Sequence, residues 1–456
     1  MKGAARLLLP IVLYAAAVPG LLGGEALSFQ QALQQADARG EILELRRVAI
    51  RRAELSLAEA RTRLGPELSF QASGAYLASP PEGVTVRAGE LGTIPPPISY
   101  AIPEQDLTFI EDARNSYFEF SLQLSQPVFT WGRLDAAVQL AEEGLDVSRV
   151  ELDQERRRMY LDLHTAYYTG VLARESAAVL GEILDILEQI EEDRMKAFEL
   201  GAANESSVLE IRAQIAGMHS RIVRAREAHV SAREAVALFT RSHAGQTELS
   251  TAFREELPDL DEAMLKSRAA ERSPSLQKAR LEQQQARANL KRIRGAALLR
   301  PEVALNLSFE VSGQALPWSE EDWEETWDLD LIVGVGTRGT LFDSGRSPKQ
   351  TKGAEQAVNA AGLAVDLMIR QIHLQMRRAV ETLRGSEAEL HEARAALAQA
   401  EEERKNAGRA FEQQLLSREQ WGAARIELLR KRLMLLERQY AFERALYELE
   451  TLAGSL

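Results

Sequence analysis

The feature that most limits what this chain can fold into is a repeat. Displacing the sequence against itself by 213 residues aligns Phe129 with Phe342, Gly132 with Gly345 and Arg133 with Arg346. The surrounding stretches read QPVFTWGRLDAA (residues 126–137) and GTLFDSGRSPKQ (residues 339–350). Without a gap, the same displacement pairs Ala141-Glu142 with Ala354-Glu355 and Arg157 with Arg370. It also pairs Ala197-Phe198-Glu199 with Ala410-Phe411-Glu412, and Arg212 with Arg425. Two segments of equal length are what a fold needs when both must span one distance side by side. Upstream the match continues with insertions: RLGPELSFQ resembles LLRPEVALN, and LSFQQALQQA resembles LPDLDEAMLKSRA. The predicted unit is helix, strand, loop, strand, long helix, turn and returning helix. It occurs over residues 25–240 and again over 258–456, with a linker at 241–257.

Four segments alternate apolar and polar residues with the period of a strand. They are predicted at about residues 66–77, 115–129, 301–312 and 327–341. Leu68, Phe70, Ala72 and Tyr76 oppose Glu67, Ser69, Gln71 and Ser73, and Phe118, Phe120, Leu122 and Leu124 oppose Glu119, Ser121, Gln123 and Ser125. Val303, Leu305, Leu307, Phe309 and Val311 oppose Asn306, Ser308 and Glu310, and Trp327, Leu329, Leu331, Val333 and Val335 oppose Asp328, Asp330 and Gly334. Each has the length a tilted strand needs to cross a bilayer. A soluble sheet with one wet face reads the same way. Four strands close no barrel and an open edge is forbidden in lipid, so spanning strands must be pooled by several copies; three copies would supply twelve. The loops between paired strands, residues 77–114 and 313–326, are Pro/Gly-rich and acidic, as outer loops are. GVGTRG (residues 334–339) fits a dinucleotide-binding pattern, but no compact βαβ unit surrounds it, so close packing or flexibility at a rim is the reading.

From residue 131 to about 196 there is neither proline nor loop, about 100 Å of helix. Val138, Leu145, Leu152, Met159, Ala166, Ala173, Leu180 and Leu187 recur every seven residues, and Val358, Val365, Ile372, Ala379, Ser386, Ala393 and Ala400 form the second column. That recurrence predicts lengthwise helix packing. Turns are predicted within FELGAANESSVLEIRAQI (residues 198–215) and FEQQLLSREQWGAARIEL (residues 411–428). Gly201 can take the left-handed position in the first, with Asn204, Ser206 or Ser207 as cap; Ser417 is the cap expected in the second. The returning helices complete hairpins over 131–240 and 345–453.

Composition narrows the function. A net charge of −13 gives nucleic-acid binding no electrostatic support. With no cysteine there is no disulfide framework, thiolate metal site, cysteine nucleophile or acylated lipoprotein terminus. Lys2 and Arg6 precede the apolar run at residues 7–18, and Gly20, Gly23 and Gly24 follow, so residues 1–24 read as a secretory signal peptide. The six histidines (164, 219, 229, 243, 373, 391) form no ligand motif and read as scattered surface residues. No nucleophile elbow or P-loop occurs, so neither an enzyme nor a cofactor is expected.

Duplication, the two corner motifs and FELGAANESSVLEIRAQ together resemble the TolC-like outer-membrane efflux protein family over nearly the whole mature chain. The resemblance implies a homotrimer in the bacterial outer membrane, in which a twelve-stranded β-barrel (four strands per protomer) continues into a long periplasmic α-barrel. It implies passive export, through a tripartite efflux or type I secretion pump, with a periplasmic adaptor and an inner-membrane transporter as partners. The corner residues Phe129, Gly132, Arg133, Phe342, Gly345 and Arg346 would mark where strands leave the membrane lipid. Phe198, Leu200, Gly201, Ala202, Phe411, Gln414 and Leu415 would form adaptor-docking tips. Where some members place two aspartates after the second tip, this chain has Gln420 and Ala423, so an aspartate ring is absent and only Glu419 or Glu210 could supply charge nearby. The polar strand faces carry Glu67, Glu119, Glu310, Asp328 and Asp330 without Lys or Arg, which predicts a negative, modestly cation-selective lumen. A secreted or periplasmic coiled-coil scaffold is the alternative; it accounts for the helices but not for the four strands.

Overall fold

The structure is a computed structural model that describes residues 25–80, 82–89, 105–110, 114–242, 247–254, 262–314 and 327–454. The expected signal segment, most of the acidic loop before Trp327 and the Pro-rich stretch at 90–104 lie outside the described residues. Two compact units emerge. The first comprises Met1–Arg47, Glu151–Pro274 and Ile369–Leu456; the second comprises Val48–Val150 and Ser275–Met368.

Every helix has a twin of its own length. Helices α1 (Phe29–Arg39) and α5 (Glu262–Arg272) have 11 residues each. Helices α2 (Glu41–Thr62) and α6 (Pro274–Gly295) have 22. Helices α3 (Arg133–Glu199) and α7 (Arg346–Glu412) have 67, and α4 (Glu205–Thr240) and α8 (Arg418–Ala453) have 36. No residue of either seven-residue column is exposed; all are buried or half-buried, because that period keeps one stripe facing a neighbour along the whole helix.

The second unit holds a four-stranded antiparallel sheet. Its order is β2 (Glu67–Tyr76), β5 (Ser116–Phe129), β7 (Glu302–Gly313), β8 (Trp327–Arg338), so the two hairpins meet at β5 and β7 and the edges are β2 and β8. β8 stops at Arg338 rather than near 341. Opposite its end, Leu299 turns away at φ 60 and Pro301 has no N–H to donate, leaving one further bond, Leu299 N to Thr340 O at 3.2 Å. The loop over 77–114 is not wholly irregular: β3 (Val84–Val86) pairs with β4 (Leu107–Ile110) within it.

In the first unit, β1 (Glu25–Leu27) and β6 (Thr247–Leu249) pair in parallel beside α1. The stretch expected as a linker is therefore part of the core here. Leu27 and Leu249 are buried with Ala32, Ala36, Leu43, Met159, Leu163, Tyr167 and Val236. The Tyr167 hydroxyl ties the segment down: it donates to Leu27 O at 2.6 Å and accepts from Ser250 N and Thr251 N, both at 3.0 Å. A second core joins Val179, Ile183, Ile186 and Ile190 of α3 to Ile211 of α4 and to Ile426 and Leu429 of α8.

Candidate functional site

Cross-strand register sorts the sheet into two faces. Ala72, Phe120, Val311 and Leu329 form one row, and Phe70, Leu122, Phe309 and Leu331 the next. Residues directly opposite share a face, so one side is continuously apolar across all four strands. That side is uncovered: Phe70 is 71% exposed, Leu331 63% and Val335 70%. On the other face, Gln71, Ser121, Glu310 and Asp330 make one row, and Ser73, Glu119, Ser312 and Asp328 another. Glu67, opposite Ser125, is on the same face near the corners. The five acids expected on this surface thus share it with Glu302, and two of them, Glu310 and Asp330, are directly opposed. That face is not free of cations, contrary to the sequence-based expectation: Arg338, opposite Glu302, belongs to it at its corner end. The expected range of β8 already included Arg338, and period two places it on the side of Asp328 and Asp330; the register adds that it faces Glu302.

At the first corner Trp131 and Gly132 are both left-handed (φ 53 and 73); at the second, Ser344 and Gly345 are (φ 56 and 77). A Cβ on either glycine would meet nothing within 4 Å, so glycine is required by backbone conformation and not by space. Helix α7 is capped by the Asp343 carboxylate, which accepts from Ser347 N at 2.8 Å and from Gly345 N and Arg346 N, each at 3.1 Å. Thr130 occupies the equivalent position before α3. Arg133 is paired with Glu302, with Nη2 donating to Oε2 at 2.9 Å, and Trp131 Nε1 donates to Pro301 O at 2.9 Å. Gly132→Ala is expected to cost about 1–2 kcal/mol by forcing an alanine into the left-handed region. Gly353→Ala, within α7, is exposed with open space around it and should stabilise by about 1 kcal/mol. Thermal melting of the two variants should move in opposite directions.

The two hairpin turns are the same structure. Ala202 N donates to Ala197 O, and Leu415 N to Ala410 O, both at 2.8 Å. Gly201 N donates to Phe198 O, and Gln414 N to Phe411 O, both at 2.9 Å. This is the Schellman pattern, with the left-handed position held by Gly201 (φ 74) and by Gln414 (φ 60). Asn204 caps α4 through Ser207 N, and Ser417 caps α8 in a capping box with Gln420. Gln420 is therefore committed to the cap. Leu200 is 84% exposed and Leu415 71%, whereas Phe411 stacks on Trp421 with centroids 6.4 Å apart. Between the turns is a cleft of about 450 Å³ lined by Ala197, Ala202, Ser207, Ser417 and Arg418 among others. At its edge Arg194 pairs with Glu419 and lies 4.0 Å from Glu210, and Arg418 lies 3.1 Å from Asp193. The acids expected to supply free charge near the tips are thus matched by arginine.

One polar cluster in the first unit was missed by sequence reading. His164 is not a surface residue: it is 1% exposed, stacked on Tyr447 at 3.9 Å, with Nε2 3.3 Å from Glu443 Oε1. Glu443, also 1% exposed, accepts from Arg254 N and Nε, each at 2.9 Å, and Arg254 Nη1 donates to Glu450 at 2.8 Å. Burial pushes the His164 imidazole below its usual value despite the opposing pull of Glu443. Burial alone would raise the Glu443 carboxyl, but the hydrogen bonds from His164 and Arg254 outweigh it and hold it below the usual range. A neutral imidazole donating to a carboxylate fits both directions. Below pH about 6.5 the unfolded chain binds a proton at His164 that the native chain resists, and below about 4.5 another at Glu443. Stability of this unit should fall as pH falls, in those two stages. Melting curves between pH 7.5 and 5.5 should lose the first stage in His164→Gln.

Among the described residues no group of three His, Asp or Glu could hold a metal ion, and no helix is long and apolar enough to cross a membrane. The family described as "Outer membrane efflux protein" matches residues 31–240 and again residues 265–455. The chain belongs to the outer membrane efflux protein family. No curated protein matches the sequence. The fold is similar to the CmeC outer membrane channel of Campylobacter jejuni, with 15% identity and a TM-score of 0.74 over 93% of this chain and 85% of that one. VceC, an outer membrane protein of Vibrio cholerae, gives 16% and 0.71 over 93% and 96%. The open state of the MtrE outer membrane channel of Neisseria gonorrhoeae gives 15% and 0.71 over 93% and 88%.

This efflux protein therefore has the TolC-like fold expected from its motifs: a helical barrel continuous with a β-barrel to which each chain gives four strands, built by internal duplication. Efflux proteins of this family are channels and carry no catalytic chemistry. The double family match falls once on each repeat, in step with the paired helices. Within the site, Glu302 was not anticipated as the partner of Arg133, although the repeated Pro-Glu of GPELSF and RPEVAL marks its place.

Proposed function

We propose that this efflux protein is the outer-membrane exit duct of a tripartite efflux or type I secretion pump, acting as a homotrimer that conducts passively from the periplasm to the exterior. The observation that carries the reading is the sheet: an uncovered apolar face, an acidic face behind it and two open edges. Lipid solvates the first, water the second, and only further copies can satisfy the third. Two copies would make eight strands, whose interior side chains fill; three make twelve and leave a lumen. Exposed Phe129, Trp131 and Phe342 at the corners, with Leu341 beside them, supply the aromatic girdle that marks a membrane interface. Glu67, Glu119, Glu310, Asp328 and Asp330 line the lumen in this reading. Phe198, Leu200, Gly201, Ala202, Phe411, Gln414 and Leu415 dock a periplasmic adaptor, which couples the duct to an inner-membrane transporter.

The test is reversal-potential measurement on purified trimer in planar bilayers under a KCl gradient. Modest cation selectivity, reduced by Glu310→Gln with Asp330→Asn, is the expected result. Anion selectivity would reverse the assignment of faces, and a detergent-free soluble rod without conductance would replace the duct with a coiled-coil scaffold.

A further inference from the structure

The two hairpins of the sheet are superimposable in register. Carrying β2 forward by 235 residues and β5 by 213 turns Glu67↔Ser125 into Glu302↔Arg338, and Tyr76↔Ser116 into Val311↔Leu329. Both products are observed pairs. The seam that joins the hairpins, β5 on β7, is therefore a junction between two equivalent units, and the same two surfaces recur unpaired at the sheet's edges. β8 is the counterpart of β5, and β2 of β7.

In the trimer reading above, a barrel of four strands per chain already sets β8 beside β2 of the next copy; resting on it, we propose that this junction takes the register of the β5–β7 seam, and that Arg346 closes on the partner's Glu67 as Arg133 closes on Glu302. In the internal seam Leu124 faces Leu307, Leu122 faces Phe309 and Gln126 faces Leu305. The same displacements set Thr337 opposite the partner's Ala72, Val335 opposite the partner's Gly74, and Gly339 opposite the partner's Phe70. Each of these pairs keeps the apolar face continuous around the ring. A register one residue off would turn the partner's sheet inside out.

Charge agrees with the geometry. Arg346 and Glu67 are exposed, and among the described residues neither side chain has a partner, while their counterparts Arg133 and Glu302 hold each other with two bonds. Strand length agrees too. Residues 339–342 correspond to 126–129, which are strand in β5 where β7 lies beside them. At the free edge the equivalent residues are not strand, and β8 ends at Arg338. The strand expected to reach 341 is completed when the next copy supplies its β2.

The chain has no cysteine, so the register can be read by disulfide trapping in the full-length protein in outer membranes. Ala72→Cys with Thr337→Cys should link copies covalently on mild oxidation, giving dimer and trimer bands on non-reducing gels. Ala72→Cys with Val335→Cys, two residues out of register, should give at least tenfold less. In parallel, Arg346→Glu or Glu67→Arg alone should lower the temperature at which the trimer dissociates in detergent, and the double reversal should restore it. A native-mass trimer that links only through the out-of-register pair, or a double reversal no better than the singles, overturns the seam and leaves the duct standing. Absence of any trimer overturns the duct itself, and the seam with it.

Discussion

Leu331→Arg is expected to abolish assembly in the outer membrane, while Asp330→Arg, one residue away, leaves the trimer intact. Both side chains are on β8, and both positions are exposed in the single chain. What separates them is the face. Leu331 is in register with Phe309, Leu122 and Phe70, whereas Asp330 is in register with Glu310, Ser121 and Gln71. An arginine facing lipid near mid-strand costs about 2–4 kcal/mol per copy, so roughly 6–12 kcal/mol for three copies. That is comparable to the whole stability of many folded domains. An arginine at position 330 points into water opposite an acid and costs little. Fractionation followed by native mass measurement reads the first effect, and a loss of cation selectivity reads the second. Equal tolerance of both substitutions would mean that neither face meets lipid.

The second large effect is in the first unit. Glu443→Ala should destabilise it by about 3 kcal/mol or more, because it strips a half-buried arginine and a buried histidine of a shared acceptor and leaves a cavity. The lower end is taken because Arg254 is 37% exposed and keeps Glu450 at 2.8 Å. Glu443→Gln retains an acceptor oxygen and should cost about half as much. For a unit of this size, 3 kcal/mol corresponds to a fall of about 6–12 °C in melting temperature. Calorimetry at pH 7.5 separates the two variants. Arg254 enters this network from the segment that joins the two repeats, so its consequence is topological: one ion pair ties the joining segment to the C-terminal helix.

Much of this was readable in the residues. Period-two alternation marks all four long strands, since a strand in contact with two different environments has to alternate. The seven-residue columns mark the packed stripe of α3 and α7, since a helix longer than a globular domain can satisfy its apolar side only along a seam. Phe-x-x-Gly-Arg marks both corners, because two successive left-handed residues before a helix are costly for anything but glycine at the second. Resemblance to one family followed from these taken together, and the family match bears it out.

Long-range partners were not readable. The proximity of His164, Arg254 and Glu443 is set by packing between elements separated by hundreds of residues, and nothing local distinguishes a buried glutamate on a Glu/Arg-rich helix from a solvated one. The short β1–β6 pair is invisible for the same reason: three residues carry no period. Arg338 lay within the expected strand and period two gives its side; only the register shows that it stands opposite Glu302. By itself, then, the sequence determined the repeat and the equal helix lengths, through self-similarity, and the strand faces, through local periodicity. Tertiary structure alone decided which strand lies beside which, which charges meet, and which edges remain for another copy, because those depend on contacts that no local spacing encodes.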